Sequence, residues 1–138
     1  MESVTTLTVR YAETDQMGIV HHCVYPIWFE AGRTDFIKQA GISYSEVENR
    51  GILLPLIQLT CNYISAAKYE DTVSVTTSLK NITYSRLRMF YQIRANGYPK
   101  VIATGETLHV WTDANLKPLN LKKSAPDLYE LLYRQVSS

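Results

Sequence analysis

Polar and apolar residues exchange places with two different periods along this chain. From Thr5 to Ala12, Leu7, Val9 and Tyr11 alternate with Thr6, Thr8 and Arg10, the period of two that a half-buried strand requires. A polar loop follows, and from about Tyr25 to Ala40 the period lengthens. There Tyr25, Phe29, Gly32, Phe36 and Ala40 fall on one side of a helix, and Ile27, Trp28 and Ala31 cover another. Only Glu30, Arg33, Thr34 and Lys38 form a polar stripe, so the helix is expected to be largely buried. Pro26 suits its first turn, where a missing N–H costs nothing, and Gly41 suits its C-terminal stop.

After a short helical turn over Tyr44 to Asn49, the pattern becomes persistently extended. "PLIQLTCNYIS" reads as one strand, and in "DTVSVTTSLKN" Val73, Val75 and Leu79 alternate with Thr72, Ser74, Thr76 and Ser78. "SRLRMFYQIRA" sets Leu87, Met89, Tyr91 and Ile93 against Arg86, Arg88, Gln92 and Arg94. Asn96-Gly97 is a hairpin signal, Val101 to Trp111 is the last strand, and "TDANLKP" turns the chain into an amphipathic helix from Ala125 to Val136. Strands that follow one another without intervening helices pair antiparallel more readily than they form βαβ crossovers. The expected class is α+β, with an antiparallel sheet of about five strands wrapped around one long buried helix. A single curled sheet has edges to hide, which predicts at least a dimer.

Composition narrows the picture further. A chain of 138 residues is most simply one domain spanning 1–138, with a core that needs no staples. Fourteen basic residues stand against thirteen acidic ones, which argues against broad electrostatic capture of nucleic acid or anionic membrane. "MESVTTL" lacks the basic and apolar regions of an export signal. The longest apolar run, "GILLPLIQL", falls short of the ~20 residues that span a bilayer. Cys23 and Cys61 are then expected as thiols, and the location as cytoplasmic.

Chemistry concentrates in "YAETDQMGIVHHCVYPIWFEAGR", residues 11 to 33. A loop aspartate such as Asp15 can form an Asx-turn or cap a helix, or it can serve as a reacting carboxylate. His21, His22 and Cys23 suggest a metal, but adjacent side chains diverge and no second His/Cys pair follows at ligand spacing; no metal site is expected. Cys23 is read as a small thiol lining a pocket. Glu30 has a ready partner in Arg33 at i+3 or Thr34 at i+4. Ser85, Arg86 and Arg88 form either a charged solvent face or a set suited to phosphates, and Lys68 and Lys100 read as surface lysines. Tyr11, Tyr25, Trp28 and Tyr63 suit either an aromatic pocket or plain core.

"TDQMGIV" after the first strand, "HHCVYPIWFEAGR" entering the helix and "GISY" after it resemble the hotdog-fold acyl-CoA thioesterases of the 4-hydroxybenzoyl-CoA thioesterase type. "ITYSRLRMFYQI" and "GETLHVWTD" continue the resemblance in the same order, so it covers nearly the whole chain. The chain departs from the pattern at Val24, where the family often has Asn, and at Pro26. The resemblance implies a hotdog fold with Asp15 as the catalytic carboxylate and the backbone N–H of His22 polarising the thioester carbonyl. It further implies that Gly18 turns the loop close to substrate, that Tyr25 shapes the pocket, and that Ser85, Arg86 and Arg88 meet coenzyme A phosphates. Some members use a helix glutamate, which makes Glu30 the alternative carboxylate. The implied reaction is hydrolysis of an acyl-CoA to acid and CoA, with no cofactor, by a homodimer or homotetramer; an acyl carrier protein is the alternative thioester donor. Two other functions fit the same scaffold: an enoyl thioester hydratase and a non-catalytic acyl-thioester or carrier-protein binding module.

Overall fold

The computed structural model describes residues 1–97 and 99–137. Its elements run β1 (Glu2–Thr8), a 3-10 turn (Tyr11–Glu13), α1 (Val24–Ala40), α2 (Tyr44–Asn49), β2 (Leu56–Tyr63), β3 (Thr72–Ile82), β4 (Arg86–Ala95), β5 (Val101–Val110), α3 (Leu121–Ser124) and α4 (Pro126–Tyr133). The strands form one sheet in the order β1-β3-β4-β5-β2, with antiparallel pairing at every step. This is the expected α+β arrangement, a five-stranded antiparallel sheet against a central helix.

The face that β4 shows to α1 is the one its alternation marks. Leu87, Met89, Tyr91 and Ile93 are all buried, while Arg86 is exposed and Arg88, Gln92 and Arg94 are at most half-buried. Helix and sheet approach closely because two positions lack a side chain. A Cβ on Gly32 would lie 2.4 Å from Thr77 Oγ1 of β3, and one on Gly105 of β5 would lie 2.3 Å from the Phe29 ring. Phe29 fills the space over Gly105 and stacks on Tyr91 with centroids 4.5 Å apart. Gly41 ends α1 at φ 124°, its N–H donating to the carbonyls of Ile37 and Lys38.

Two elements differ from the sequence expectation. β1 starts at Glu2 and ends at Thr8, because its buried positions include Ser3 and Thr5; Thr5 donates to Asp35 of α1 at 2.6 Å. Tyr11 leaves the strand for the 3-10 turn and is 76% exposed. The terminal helix, α4, stops at Tyr133 short of the expected Val136, and a turn of helix not expected, α3, precedes it across Ala125, whose φ of −149° and ψ of 72° separate the two. α1 itself matches the expected span, but Ile27 on its outer side is 59% exposed. No helix among the described residues is long and apolar enough to cross a membrane.

Candidate active site

The loop between the 3-10 turn and α1 is held from both ends. Buried Glu13 accepts from the Arg10 N–H at 2.7 Å and from Trp28 Nε1 of α1 at 3.2 Å. Its carbonyl accepts from the His21 N–H at 2.8 Å. A bridge between Thr14 and Val20 closes the loop neck, and the Val20 N–H donates to Ala67 at 2.9 Å. Asp15 sits in the resulting tight turn: its N–H donates to Ile19, and its carbonyl accepts from Gly18 at 3.0 Å. Gly18 takes φ 78°, a left-handed conformation that glycine adopts without steric cost.

Asp15 Oδ1 accepts from the Met17 N–H at 2.8 Å, so the Asx-turn is formed. Oδ2 has no hydrogen-bond partner among the described residues. Half-buried Asp15 lines a cleft of about 320 Å³ together with Met17, His22, Tyr25, Tyr63 and Ser65. On its other side it borders a larger depression, of about 830 Å³, with Tyr11, Gly18, His21 and Tyr69. Asp15, Gly18, His22 and Tyr25 are therefore gathered at one place.

The helix entrance forms the opposite wall of the cleft. Cys23 is the N-cap of α1 and offers no side-chain cap. The His22 N–H meets no acceptor among the described residues, and the His22 carbonyl accepts from Tyr63 Oη at 2.8 Å. Tyr63 belongs to the end of β2, so this bond ties an edge strand to the start of α1. Its ring meets that of buried Tyr25 edge-on at 5.2 Å, and burial pushes the Tyr25 hydroxyl above its usual titration range. His21 and His22 stack at 4.2 Å, and His21 Nδ1 accepts from the Cys23 N–H. Cys23 is exposed at the helix cap and is not among the residues lining the cleft. Among the described residues no three His, Cys, Asp or Glu side chains are grouped to hold a metal.

Within one chain Ser85, Arg86 and Arg88 stand apart from this cleft. They lie at the β3–β4 turn, where Ser85 accepts from the Trp111 N–H at 3.0 Å, whereas the Asp15 loop joins the sheet near Ala67 and the far end of β4. The ten strand residues from Arg86 to Ala95 span about 30 Å. Arg88 also pairs with Glu106 at 3.3 Å. The same carboxylate bonds Lys80, which holds it below the usual carboxylate range. Glu30 is exposed and has no hydrogen-bond or ionic partner among the described residues. The Glu30–Arg33 pair does not form, because Arg33 turns inward and donates to Tyr91 Oη at 3.1 Å.

Two contributors escaped sequence reasoning, Glu13 and Tyr63 Oη. The glutamate three residues after Arg10 could have been found as a turn-capping signal; nothing local marks the Tyr63 hydroxyl.

A family model described as the thioesterase-like superfamily matches residues 9–130. YneP of Bacillus subtilis (strain 168), a provisionally named acyl-CoA thioesterase, is 37% identical over 123 residues, 88% of each chain. The chloroplastic acyl-acyl carrier protein thioesterase ATL3 of Arabidopsis thaliana is 26% identical over 94% of this chain and 68% of its own length. Among solved structures, a DHNA-CoA thioesterase from Staphylococcus aureus superposes with a TM-score of 0.92 at 33% identity, covering 96% of this chain and 89% of that one. With the family match covering residues 9–130 and the superposition 96% of the chain, the chain belongs to the hotdog-fold thioesterase-like superfamily, a family of acyl-thioester hydrolases.

Proposed function

We propose that this protein hydrolyses an acyl-CoA thioester to a free acid and CoA, with Asp15 as the reacting carboxylate. The observation that carries the reading is that Asp15 and His22, whose N–H meets no acceptor among the described residues, line one cleft at the start of α1. A helix N-terminus carries oriented N–H groups and about half a positive charge, which suits an oxyanion forming on the thioester carbonyl. One such preorganised donor is worth about 3 kcal/mol of the barrier. The Asx-turn is compatible with this role: Met17 N–H fixes Oδ1 and leaves Oδ2 available to the cleft.

Two routes use the same atoms. As general base, Asp15 takes a proton from water as the water oxygen bonds to the carbonyl carbon; the C–S bond then breaks and the thiolate receives the proton. As nucleophile, Asp15 attacks the carbon, releases the thiolate and forms an acid anhydride that water cleaves. Tyr25 bounds the acyl end of the site, and Gly18 turns the loop that carries Asp15.

Ser85, Arg86 and Arg88 enter this reading through a second copy. Antiparallel pairing of two chains along β2 brings opposite ends of their sheets together, so the β3–β4 turn of one copy approaches the Asp15 end of the other. The phosphates of CoA would then meet Arg86, whose guanidinium has no ionic partner among the described residues. Resemblance to ATL3 keeps acyl carrier protein as the alternative thioester donor.

The test is thiol release from a panel of short, long and aromatic acyl-CoAs beside acyl carrier protein thioesters. Release from one or more acyl-CoAs supports the reading, and release from carrier-protein thioesters alone corrects the donor. An unreactive panel that still binds would favour a binding module.

A further inference from the structure

Asp15 and the His22 N–H ride on one loop, yet they are tied to the rest of the molecule by different contacts. On the Asp15 side the ties are backbone. The Val20 N–H donates to Ala67 O at 2.9 Å, and Ile19 bridges Lys68. On the His22 side most bonds stay within the loop and the start of α1. The His21 N–H donates to Glu13 O at 2.8 Å, the Val24 N–H donates to His21 O at 3.0 Å, and the Cys23 N–H donates to His21 Nδ1 at 3.2 Å. Among the described residues, the hydrogen bond that ties residues 21–23 to the sheet is the one from Tyr63 Oη of β2 to the His22 carbonyl, at 2.8 Å.

That bond has a directional consequence. A peptide unit is planar, so the His22 N–H points where the His21–His22 plane and the rotations about His22 direct it. The carbonyl of that plane is held by Val24, and the carbonyl of the next plane by Tyr63. With both planes flanking its Cα fixed, His22 keeps its N–H in one direction relative to β2. Asp15 is referred to the same stretch of chain, through Ala67 and Lys68 just beyond β2. The phenol is suited to the task because it stays protonated: desolvation, with the Cys61 thiol beside it, pushes its titration up to about 12. Its ring is braced edge-on against buried Tyr25 at 5.2 Å. A donor oriented beforehand needs no reorganisation as charge develops on the reacting oxygen.

We infer that Tyr63 is a positioning residue for thioester hydrolysis: its hydroxyl, through the His22 carbonyl, keeps the His22 N–H aimed at the thioester oxygen. The inference rests on the proposed thioesterase reading and adds to it the group that orients the oxyanion donor. Tyr63 also lines the cleft, so this role must be told from a simple grip on the substrate. Losing a grip felt equally in ground and transition states raises KM; misaiming a donor used in the transition state lowers kcat.

Tyr63→Phe deletes the hydroxyl and keeps the ring against Tyr25. With the variant folded by circular dichroism, kcat for the best substrate of the acyl-CoA panel should fall about ten- to a hundredfold, with KM within about threefold. A second readout needs no turnover. S-trifluoroacetonyl-CoA carries a ketone that adds water to give a tetrahedral centre like the adduct of water and thioester, whereas S-propyl-CoA has no oxygen there. Calorimetric titration of the unaltered protein should show the ketone binding about tenfold tighter or more, and in Tyr63→Phe the two should come within about threefold with S-propyl-CoA unmoved. An unchanged kcat in Tyr63→Phe, a rise in KM alone, a ketone preference that survives the change, or no preference in the unaltered protein overturns the inference. A ketone preference that depends on Tyr63, without thiol release from any thioester, would sink the thioesterase reading alone. Thiol release that Tyr63→Phe leaves intact would sink this inference alone.

Discussion

His109 carries one of the sharper consequences at the scale of a single residue. Burial, reinforced by the Arg33 charge and opposed by the Leu54 carbonyl, lowers its titration from 6.5 to about 4. The folded state therefore holds a neutral ring where the unfolded chain takes a proton. Stability is at its full value above pH 6.5 and is lost as the pH falls from 6.5 toward 4, by on the order of 3 kcal/mol for a difference of this size. Urea titrations at pH 7 and pH 4.5 should show that loss for the unaltered chain and a much smaller loss for His109→Gln, read relative to its own stability at pH 7. An equal loss in both would remove His109 from the explanation. Glu13 shows the same economy in the loop: its buried carboxylate ties the turn to α1, and its backbone carbonyl holds the neck that presents Asp15.

Among elements, the contact between α1 and the sheet depends on what is missing at Gly105. An alanine there would place a methyl against the Phe29 ring, and overpacking of this kind costs about 1–3 kcal/mol. Gly105→Ala should lower the thermal midpoint by several degrees, and Gly105→Ala with Phe29→Leu should recover part of it; no drop in the single variant would contradict the packing described.

How much of this was legible in the residues varies by element. β3, β4 and β5 alternate cleanly because one face is core, and α1 declared itself through a nearly continuous apolar circumference. β1 was misplaced because its buried positions include Ser3 and Thr5, which hydrophobic periodicity does not count as inward. Helix spacing offers Glu30 a partner in Arg33 or Thr34, and it knows nothing of the tyrosine hydroxyl across the helix–sheet gap that takes Arg33 instead. Asp15, His22 and Tyr25 fall close together along the chain, and they are close in space. Ser85, Arg86 and Arg88 are remote in sequence, and within one chain they are remote in space as well.

For the whole molecule the open question is the free edge of β2. Among the described residues this strand pairs with β5 alone, and Leu56, Ile57 and Tyr63 along it, with Ile64 just beyond, are each about half exposed. An apolar, unpaired edge of this length invites a second strand. Sedimentation should give at least twice the mass of the chain, and Ile57→Lys should shift it toward the monomer while thiol release falls. A monomer at micromolar concentration with full activity would refute both the pairing and the cross-copy role of Arg86.

The most direct measurement is thiol release from the best acyl-CoA by the unaltered protein and by Asp15→Asn, with folding verified by thermal melting. Loss of a positioned carboxylate predicts a fall in kcat of about 10²- to 10⁴-fold, with a melting midpoint close to the original. Turnover unchanged in a folded Asp15→Asn variant would contradict the account and move the chemistry to another group of the cleft.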